Sequence, residues 1–149
     1  MSKIRLTKEF DFEMAHALLN YDGLCKHIHG HSYKLAVTVI AVPNWDKSSP
    51  KRGMVMDFGD LKKIVNKLIV KPLDHAFAIN SETPEEYYKS GNQLFDRLIK
   101  VDYQPTCENM VIDFAERIKK ELPEGVKLFS VKLHETATSF AEWYADDNE

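Results

Sequence analysis

Hydrophobic and polar residues alternate at the start of the chain. Apolar residues of one parity are Ile4, Leu6, Phe10, Phe12 and Met14. A period of two is typical of a β-strand with one buried face, and His16 shares the buried parity. Residues 33–42 are rich in β-branched side chains and stop at Pro43, which predicts a second long strand.

The spacing of apolar residues changes after Asp57, which predicts a helix with Asp57 as its N-cap and Pro72 at its end. Its predicted buried face consists of Phe58, Leu61, Ile64 or Val65, and Leu68. Thr106 follows Pro105 and is the predicted N-cap of a second helix. The buried stripe of that helix is Val111, Phe114, Ile118 and Leu122.

Shorter segments complete the prediction. Residues 54–58 are assigned to a short strand, residues 80–105 to a surface excursion with a short helix, and residues 127–136 and 139–145 to two further strands. In the first of these two strands one face carries Phe129, Val131, Leu133 and Glu135. Strands grouped on both sides of a helix pair predict an α+β fold, an antiparallel sheet with helices on one face.

Composition narrows the class of protein. A chain of 149 residues predicts one domain, residues 1–149. The net charge of −3 argues against nucleic acid as a partner and favours a small, weakly charged substrate or a protein partner. Without a long apolar run or the hydrophobic region of a signal peptide, we expect no membrane partner and a cytoplasmic location. Two cysteines do not make a disulfide framework and fit metal or catalytic roles better.

The segment CKHIHGH, residues 25–31, concentrates metal-binding side chains. Residues two apart in an extended strand point the same way, and Gly30 favours His29 and His31 as a ligand pair. His16, on the adjacent strand, is the natural third ligand. Three imidazoles leave a fourth tetrahedral position open, as catalytic zinc requires.

Cys25 allows two interpretations of this segment. In the first, Cys25 joins the histidines in a structural cage, although structural sites favour cysteine-rich ligand sets. In the second, it stays unligated beside Lys26 and a dication, as a candidate base or nucleophile. For Cys107, at the start of the second helix, an inert buried thiol is the better interpretation.

Two further positions carry possible chemistry. Asp74 directly precedes His75, and in a turn its carboxylate would orient the imidazole and raise its basicity. Glu135 ends the apolar face of a strand. It is either exposed at the strand end or a ligand anchor, since a carboxylate accepts two N–H donors, for example from an amino-pyrimidinone ring.

Six short motifs follow one another along the chain: FEMAH, CKHIHGHSY, GMVMDFGDLK, LDH, PTCEN and LHET. In this combination and order they resemble the 6-pyruvoyl-tetrahydropterin synthase family. That family includes the bacterial 6-carboxytetrahydropterin synthases of queuosine biosynthesis, and the resemblance runs from Phe10 to Thr136. It implies the tunnelling fold, with a four-stranded antiparallel sheet and two helices on one face. It also implies homo-oligomers, trimers stacked into hexamers, in which the sheets form a barrel with active sites at subunit interfaces.

The resemblance assigns roles residue by residue. It implies zinc as cofactor with His16, His29 and His31 as ligands, and Cys25 as the catalytic thiol. Asp74 and His75 would be a second proton-transfer pair reaching the site from a neighbouring subunit. Glu135 would hold the pterin ring, and Thr106 lies in a segment that lines its pocket.

The implied substrate is 7,8-dihydroneopterin triphosphate. After loss of triphosphate, the side chain is either kept as pyruvoyl or cleaved to acetaldehyde and a 6-carboxyl group. The short spacing from Cys25 to His29 favours the carboxy outcome. The rivals are the pyruvoyl product and a non-catalytic, zinc-stabilised pterin-binding or assembly module. Departures from the family pattern are Met14, Cys107, the extra His27 and the long segment that follows LDH.

Overall fold

Two long strands form the centre of the sheet in this computed structural model, which describes residues 1–89 and 93–149. β1 (Ile4–His16) and β2 (His29–Ala41) pair antiparallel over their whole length, as their alternation predicts. The register sets Phe12 opposite Tyr33 and His16 opposite His29. Both histidines therefore lie on the face that carries the core, at the end of the apolar stripe.

Four more strands extend this pair to six, in the order β4-β3-β1-β2-β5-β6. The added strands are β3 (Ala76–Asn80), β4 (Leu98–Val101), β5 (Lys127–Thr136) and β6 (Ser139–Tyr144). β3 runs parallel to β1, and β4 runs parallel to β3. The expected sheet of four antiparallel strands is thus wrong in number and partly in direction. β3 and β4 are short and lack the two-residue alternation that marks the longer strands.

The first helical segment consists of α1 (Phe58–Val65), a π-helical turn (Asn66–Val70) and α2 (Lys71–Leu73). Asp57 is the predicted N-cap, and its side chain accepts from the Gly59 amide at 2.7 Å. The segment continues through Pro72 instead of ending there. The buried residues are Leu61, Val65, Ile69 and Leu73. Phe58, by contrast, is 51% exposed, because the buried stripe begins one turn later than predicted.

α3 (Cys107–Lys119) is the second helix, and the Thr106 hydroxyl caps it by accepting from the Asn109 amide at 3.2 Å. Its buried side chains are Cys107, Met110, Val111, Phe114, Ala115 and Ile118. They form one core with the first helical segment and the facing side of the sheet. The prediction of an α+β fold with two helices on one face is confirmed.

An ionic cluster joins the two helical segments. Arg117 donates to both carboxylate oxygens of Asp113, at 2.9 and 2.7 Å, and to the Leu68 carbonyl at 3.1 Å. Tyr103 donates to Asp113 at 2.5 Å. In a regular α-helix the Leu68 carbonyl would accept from the amide four residues later, but that residue is Pro72, which has no N–H. Arg117 supplies a donor to this carbonyl instead.

Two local expectations fail for identifiable reasons. Residues 54–58 are not a strand: the Met54 carbonyl accepts from the Asn44 amide within a loop, and Asp57 then starts α1. In β5 the pairing with β2 shifts between Thr38 and Val39. This bulge buries Leu128 and places the Phe129 ring on the opposite face, 3.9 Å from the Arg5 guanidinium.

The predicted surface excursion, residues 80–105, contains 3₁₀ turns at Glu85–Tyr87 and Gln93–Phe95 and the unpredicted β4. Residues 90–92 of that prediction lie outside the described part of the chain. Within the described part, no helix has the length and apolar character needed to cross a membrane.

Candidate metal centre

Three histidines meet where β1 ends and β2 begins. One possible ligand nitrogen from each of His16, His29 and His31 lies within 4.8 Å of the others. The Nε2 atoms of His16 and His29 are 2.9 Å apart. Cross-strand pairing brings these rings together, since His16 is opposite His29 and His31 follows on the same face.

Backbone carbonyls fix the orientation of two of the rings. His16 donates from Nδ1 to the Pro105 carbonyl at 2.7 Å, and His29 donates from Nδ1 to the His27 carbonyl at 2.8 Å. A carbonyl only accepts, so each Nδ1 carries the proton and each Nε2 presents a lone pair. Two lone pairs facing each other across 2.9 Å repel unless a proton or a metal ion lies between them, and the three imidazoles could hold such an ion.

The remaining geometry also fits a metal ion. Zinc bonds of about 2.0–2.1 Å in a tetrahedron would separate the ligand nitrogens by about 3.3–3.4 Å. The nitrogens here are 2.9 Å apart for His16 and His29 and lie within 4.8 Å across all three residues, so small ring movements would reach that spacing. The His31 Nε2 is buried and makes no hydrogen bond of good geometry among the described residues, although the Glu135 Oε1 lies 3.3 Å away. Burial lowers the pKa of both His16 and His31, which keeps these imidazoles neutral and able to coordinate.

Glu135 borders this cluster. Its Oε1 lies 3.3 Å from the His31 Nε2, and its side chain is 25% exposed. It also lines a cleft of about 150 Å³ with Cys107, Glu108, Ser139 and Phe140. A half-exposed carboxylate in a cleft beside three imidazoles is placed to accept N–H donors from a bound ligand.

Cys107 is buried, as the sequence predicts. It is 6% exposed and donates to the Leu133 carbonyl, with Sγ 3.1 Å from the oxygen. Burial raises its pKa to about 11.

Cys25 lies in the loop between β1 and β2, in a 3₁₀ turn at Leu24–Lys26. It is half-buried, its carbonyl accepts from the Leu18 amide at 3.1 Å, and it is not a member of the imidazole cluster. The structure therefore favours the second interpretation, a thiol separate from the three histidines. A cavity of about 500 Å³ borders this loop, lined by Lys26 and His27 and by Tyr87 and Tyr88 of the long 80–105 segment.

Asp74 and His75 form a pair in the turn between α2 and β3. The His75 Nδ1 lies 3.0 Å from the Asp74 Oδ1, as the sequence hypothesis requires of a turn. The His75 side chain is 74% exposed, and neither residue belongs to the imidazole cluster. His75 also borders an open groove of about 350 Å³ that His31 lines from β2.

Sequence reasoning missed the groups that orient the ligands, because a backbone carbonyl has no residue-type signature. Pro105 was only a helix-start marker, and His27 was an extra histidine. The His27 side chain is exposed, but its carbonyl holds His29. Gly30 is less constrained than expected, because a Cβ there would meet the Met14 carbonyl oxygen at an ordinary 3.5 Å.

Comparison with known proteins decides the family. The profile described as 6-pyruvoyl tetrahydropterin synthase matches residues 5–146. The chain belongs to that family. Members similar to it include the 6-carboxy-5,6,7,8-tetrahydropterin synthase of Haemophilus influenzae, 38% identical over 93% of this chain and 97% of that protein. The 6-pyruvoyl tetrahydrobiopterin synthase of Pongo abelii is 36% identical over 72% of this chain and 60% of its own length.

Two solved structures share the fold. The 6-pyruvoyl tetrahydropterin synthase of Caenorhabditis elegans superposes with a TM-score of 0.66 at 23% identity, covering 97% of both chains. An uncharacterized protein from Wolinella succinogenes gives a TM-score of 0.76 at 24% identity, covering 97% of this chain and 99% of that one. At these identities the likeness concerns the fold alone.

Proposed function

We propose that this protein is a zinc-dependent 6-carboxytetrahydropterin synthase. It would convert 7,8-dihydroneopterin triphosphate to 6-carboxy-5,6,7,8-tetrahydropterin and release triphosphate and acetaldehyde. The observation that carries the proposal is the cluster of His16, His29 and His31, in which carbonyls aim two nitrogen lone pairs at one point, beside Glu135. An open three-nitrogen site suits catalysis better than structural support.

Each group has a distinct task in this proposal. The three histidines hold the metal, which when bound supplies Lewis acidity and makes nearby hydroxyl groups easier to deprotonate. Glu135 accepts N–H donors from the amino-pyrimidinone edge of the pterin, and Thr106 starts the helix that borders the same cleft. Cys25 exchanges a proton with the substrate side chain as one acid–base group.

His75 is the second acid–base group. Asp74 accepts from its Nδ1, so the Nε2 is left to take up or give back a proton. Because this imidazole is 74% exposed and lies outside its own chain's cluster, we propose that the protein works as a homo-oligomer in which His75 enters a neighbour's site. Mixing Cys25→Ala with His75→Ala subunits should then raise turnover well above the residual turnover of either variant alone. Without restoration, the shared site is excluded.

The carboxy product is favoured over the pyruvoyl product by similarity along the chain. The carboxy synthases of Haemophilus influenzae and Rickettsia bellii match 93% of this chain, whereas the pyruvoyl synthase of Pongo abelii matches 72%. Incubating the zinc-loaded protein with 7,8-dihydroneopterin triphosphate and Mg²⁺ distinguishes the products. We expect one acetaldehyde per triphosphate released, measured by coupled reduction with alcohol dehydrogenase. Triphosphate release without acetaldehyde would establish the pyruvoyl reaction instead.

Metal content separates the enzyme from a zinc-stabilised module. We expect Cys25→Ala to keep about one zinc per chain, because three imidazoles hold the ion without the thiol, and to lose turnover. His29→Ala should lose most of the metal. His27→Ala is the matched control from the same segment and should retain it, because only the His27 carbonyl contacts a ligand. Loss of zinc in Cys25→Ala would indicate that the thiol is a metal ligand.

A further inference from the structure

The turn that carries Asp74 and His75 has an unusual backbone. Its φ is −62° at Asp74 and +63° at His75, directly after the helical segment ends at Leu73. A left-handed residue at a helix end is normally glycine or asparagine. Histidine is strained there, so surrounding contacts must hold the turn in place.

β1 holds the turn from the sheet side. The Glu13 amide donates to the Asp74 Oδ1 at 2.9 Å, and the His75 amide donates to the Glu13 carbonyl at 2.6 Å. These two bonds fix one carboxylate oxygen and the backbone of the strained residue. Neither bond holds the other side of the turn, where the Asp74 carbonyl lies.

Arg97 holds that other side. Its Nη2 donates to the Asp74 carbonyl at 2.7 Å and to the Lys71 carbonyl at 3.1 Å, with the Pro72 carbonyl 3.4 Å away. The Arg97 carbonyl accepts from the Phe77 amide at 3.1 Å, so its backbone is tied to β3 two residues after His75. Arg97 thus fixes both the end of the helix and the start of the strand.

We propose that Arg97 is a positioning residue for the Asp74–His75 pair. This inference rests on the proposed function. By holding the Asp74 carbonyl, Arg97 sets the direction of the carboxylate together with the Glu13 amide, and the carboxylate in turn orients the His75 Nδ1 at 3.0 Å. Displacing a proton-transfer group slows the reaction more than it weakens substrate binding, because the group acts in the transition state. A guanidinium that only neutralised the helix dipole would affect stability instead.

Kinetics of Arg97→Ala tests the proposal. We expect kcat to fall roughly 10- to 100-fold with KM changed less than about threefold and zinc content unaltered. Arg97→Lys, which keeps a donor, should recover part of the loss. Arg52→Ala, an exposed arginine in another turn, is the matched control and should behave as wild type. A kcat for Arg97→Ala equal to that of the control would overturn the proposal.

A double-mutant cycle shows whether Arg97 acts through His75. In a His75→Ala background, Arg97→Ala should cost less than about twofold further, because the imidazole it positions is already gone. An equal loss in both backgrounds would mean that Arg97 acts elsewhere and would overturn the inference.

Hydrogen exchange separates this inference from the proposed function. If the wild-type protein does not turn over the pterin, the proposed function fails, but the role of Arg97 in holding the turn remains measurable. Arg97→Ala should speed exchange of the His75 amide relative to Arg52→Ala, because the turn opens more often. Equal exchange in the two variants would refute the role of Arg97 in the turn.

Discussion

Replacing His75 by glycine and, separately, by alanine measures the backbone strain in the turn that carries it. At φ +63° an alanine keeps the strain of the left-handed conformation, about 1–2 kcal/mol. Glycine removes that strain, but it makes the unfolded chain more flexible, at a cost of about 0.4–1 kcal/mol. The net expectation is that His75→Gly is more stable than His75→Ala by about 1 kcal/mol. Both variants lose the imidazole and its contact with Asp74, so this loss does not contribute to the difference in stability between them.

Urea unfolding at one fixed protein concentration measures this difference, because any association then contributes similarly to both variants. With a slope of about 2 kcal/mol/M, the two midpoints should differ by about 0.5 M. Lys120 provides the control pair, since it is exposed at the end of α3 with φ −72°. There, glycine should be less stable than alanine by about 0.5–1 kcal/mol. If glycine were also less stable than alanine at position 75, the backbone strain assigned to His75 would be refuted.

Three further predictions concern single side chains. Iodoacetamide should label Cys25 well before Cys107, because Cys107 is buried with a pKa of about 11 and stays protonated at lower pH. Timed quenching and peptide mass spectrometry measure the two labelling rates. Labelling of Cys107 should rise only as the pH approaches its pKa. Tyr103→Phe should lower the free energy of unfolding by about 1 kcal/mol in urea titrations, since the hydroxyl donates to Asp113; an unchanged midpoint would contradict that. Gly30→Ala should retain zinc, and its free energy of unfolding should rise by about 0.5 kcal/mol. Loss of zinc in this variant would show that close backbone packing at position 30 matters for metal binding.

The long strands and the histidine cluster were predictable because they depend on side-chain periodicity. Alternation along β1 and β2 puts apolar residues and histidines on one face, and pairing of consecutive strands then brings His16 to His29. The N-caps Asp57 and Thr106 were also predictable, because capping needs a particular side chain at a helix start.

Features that depend on the backbone were not predictable in the same way. β3 and β4 are short, and their parallel pairing depends on neighbours distant in the sequence. The bulge that redirects Phe129 depends on a shift in pairing with β2. The left-handed conformation of His75 runs against residue preference, since histidine has no advantage there over glycine.

The proposed metal ligands lie on two paired strands, and the proposed reactive thiol lies in the loop between them. His16 and His29 are fixed by pairing of β1 with β2 and by carbonyls at Pro105 and His27, whereas Cys25 lies within the loop that connects the two strands. Most of that loop could therefore be exchanged without moving a ligand. A scaffold of this kind is a good starting point for engineering, because new proton-transfer groups can be introduced while the histidine cluster stays constant.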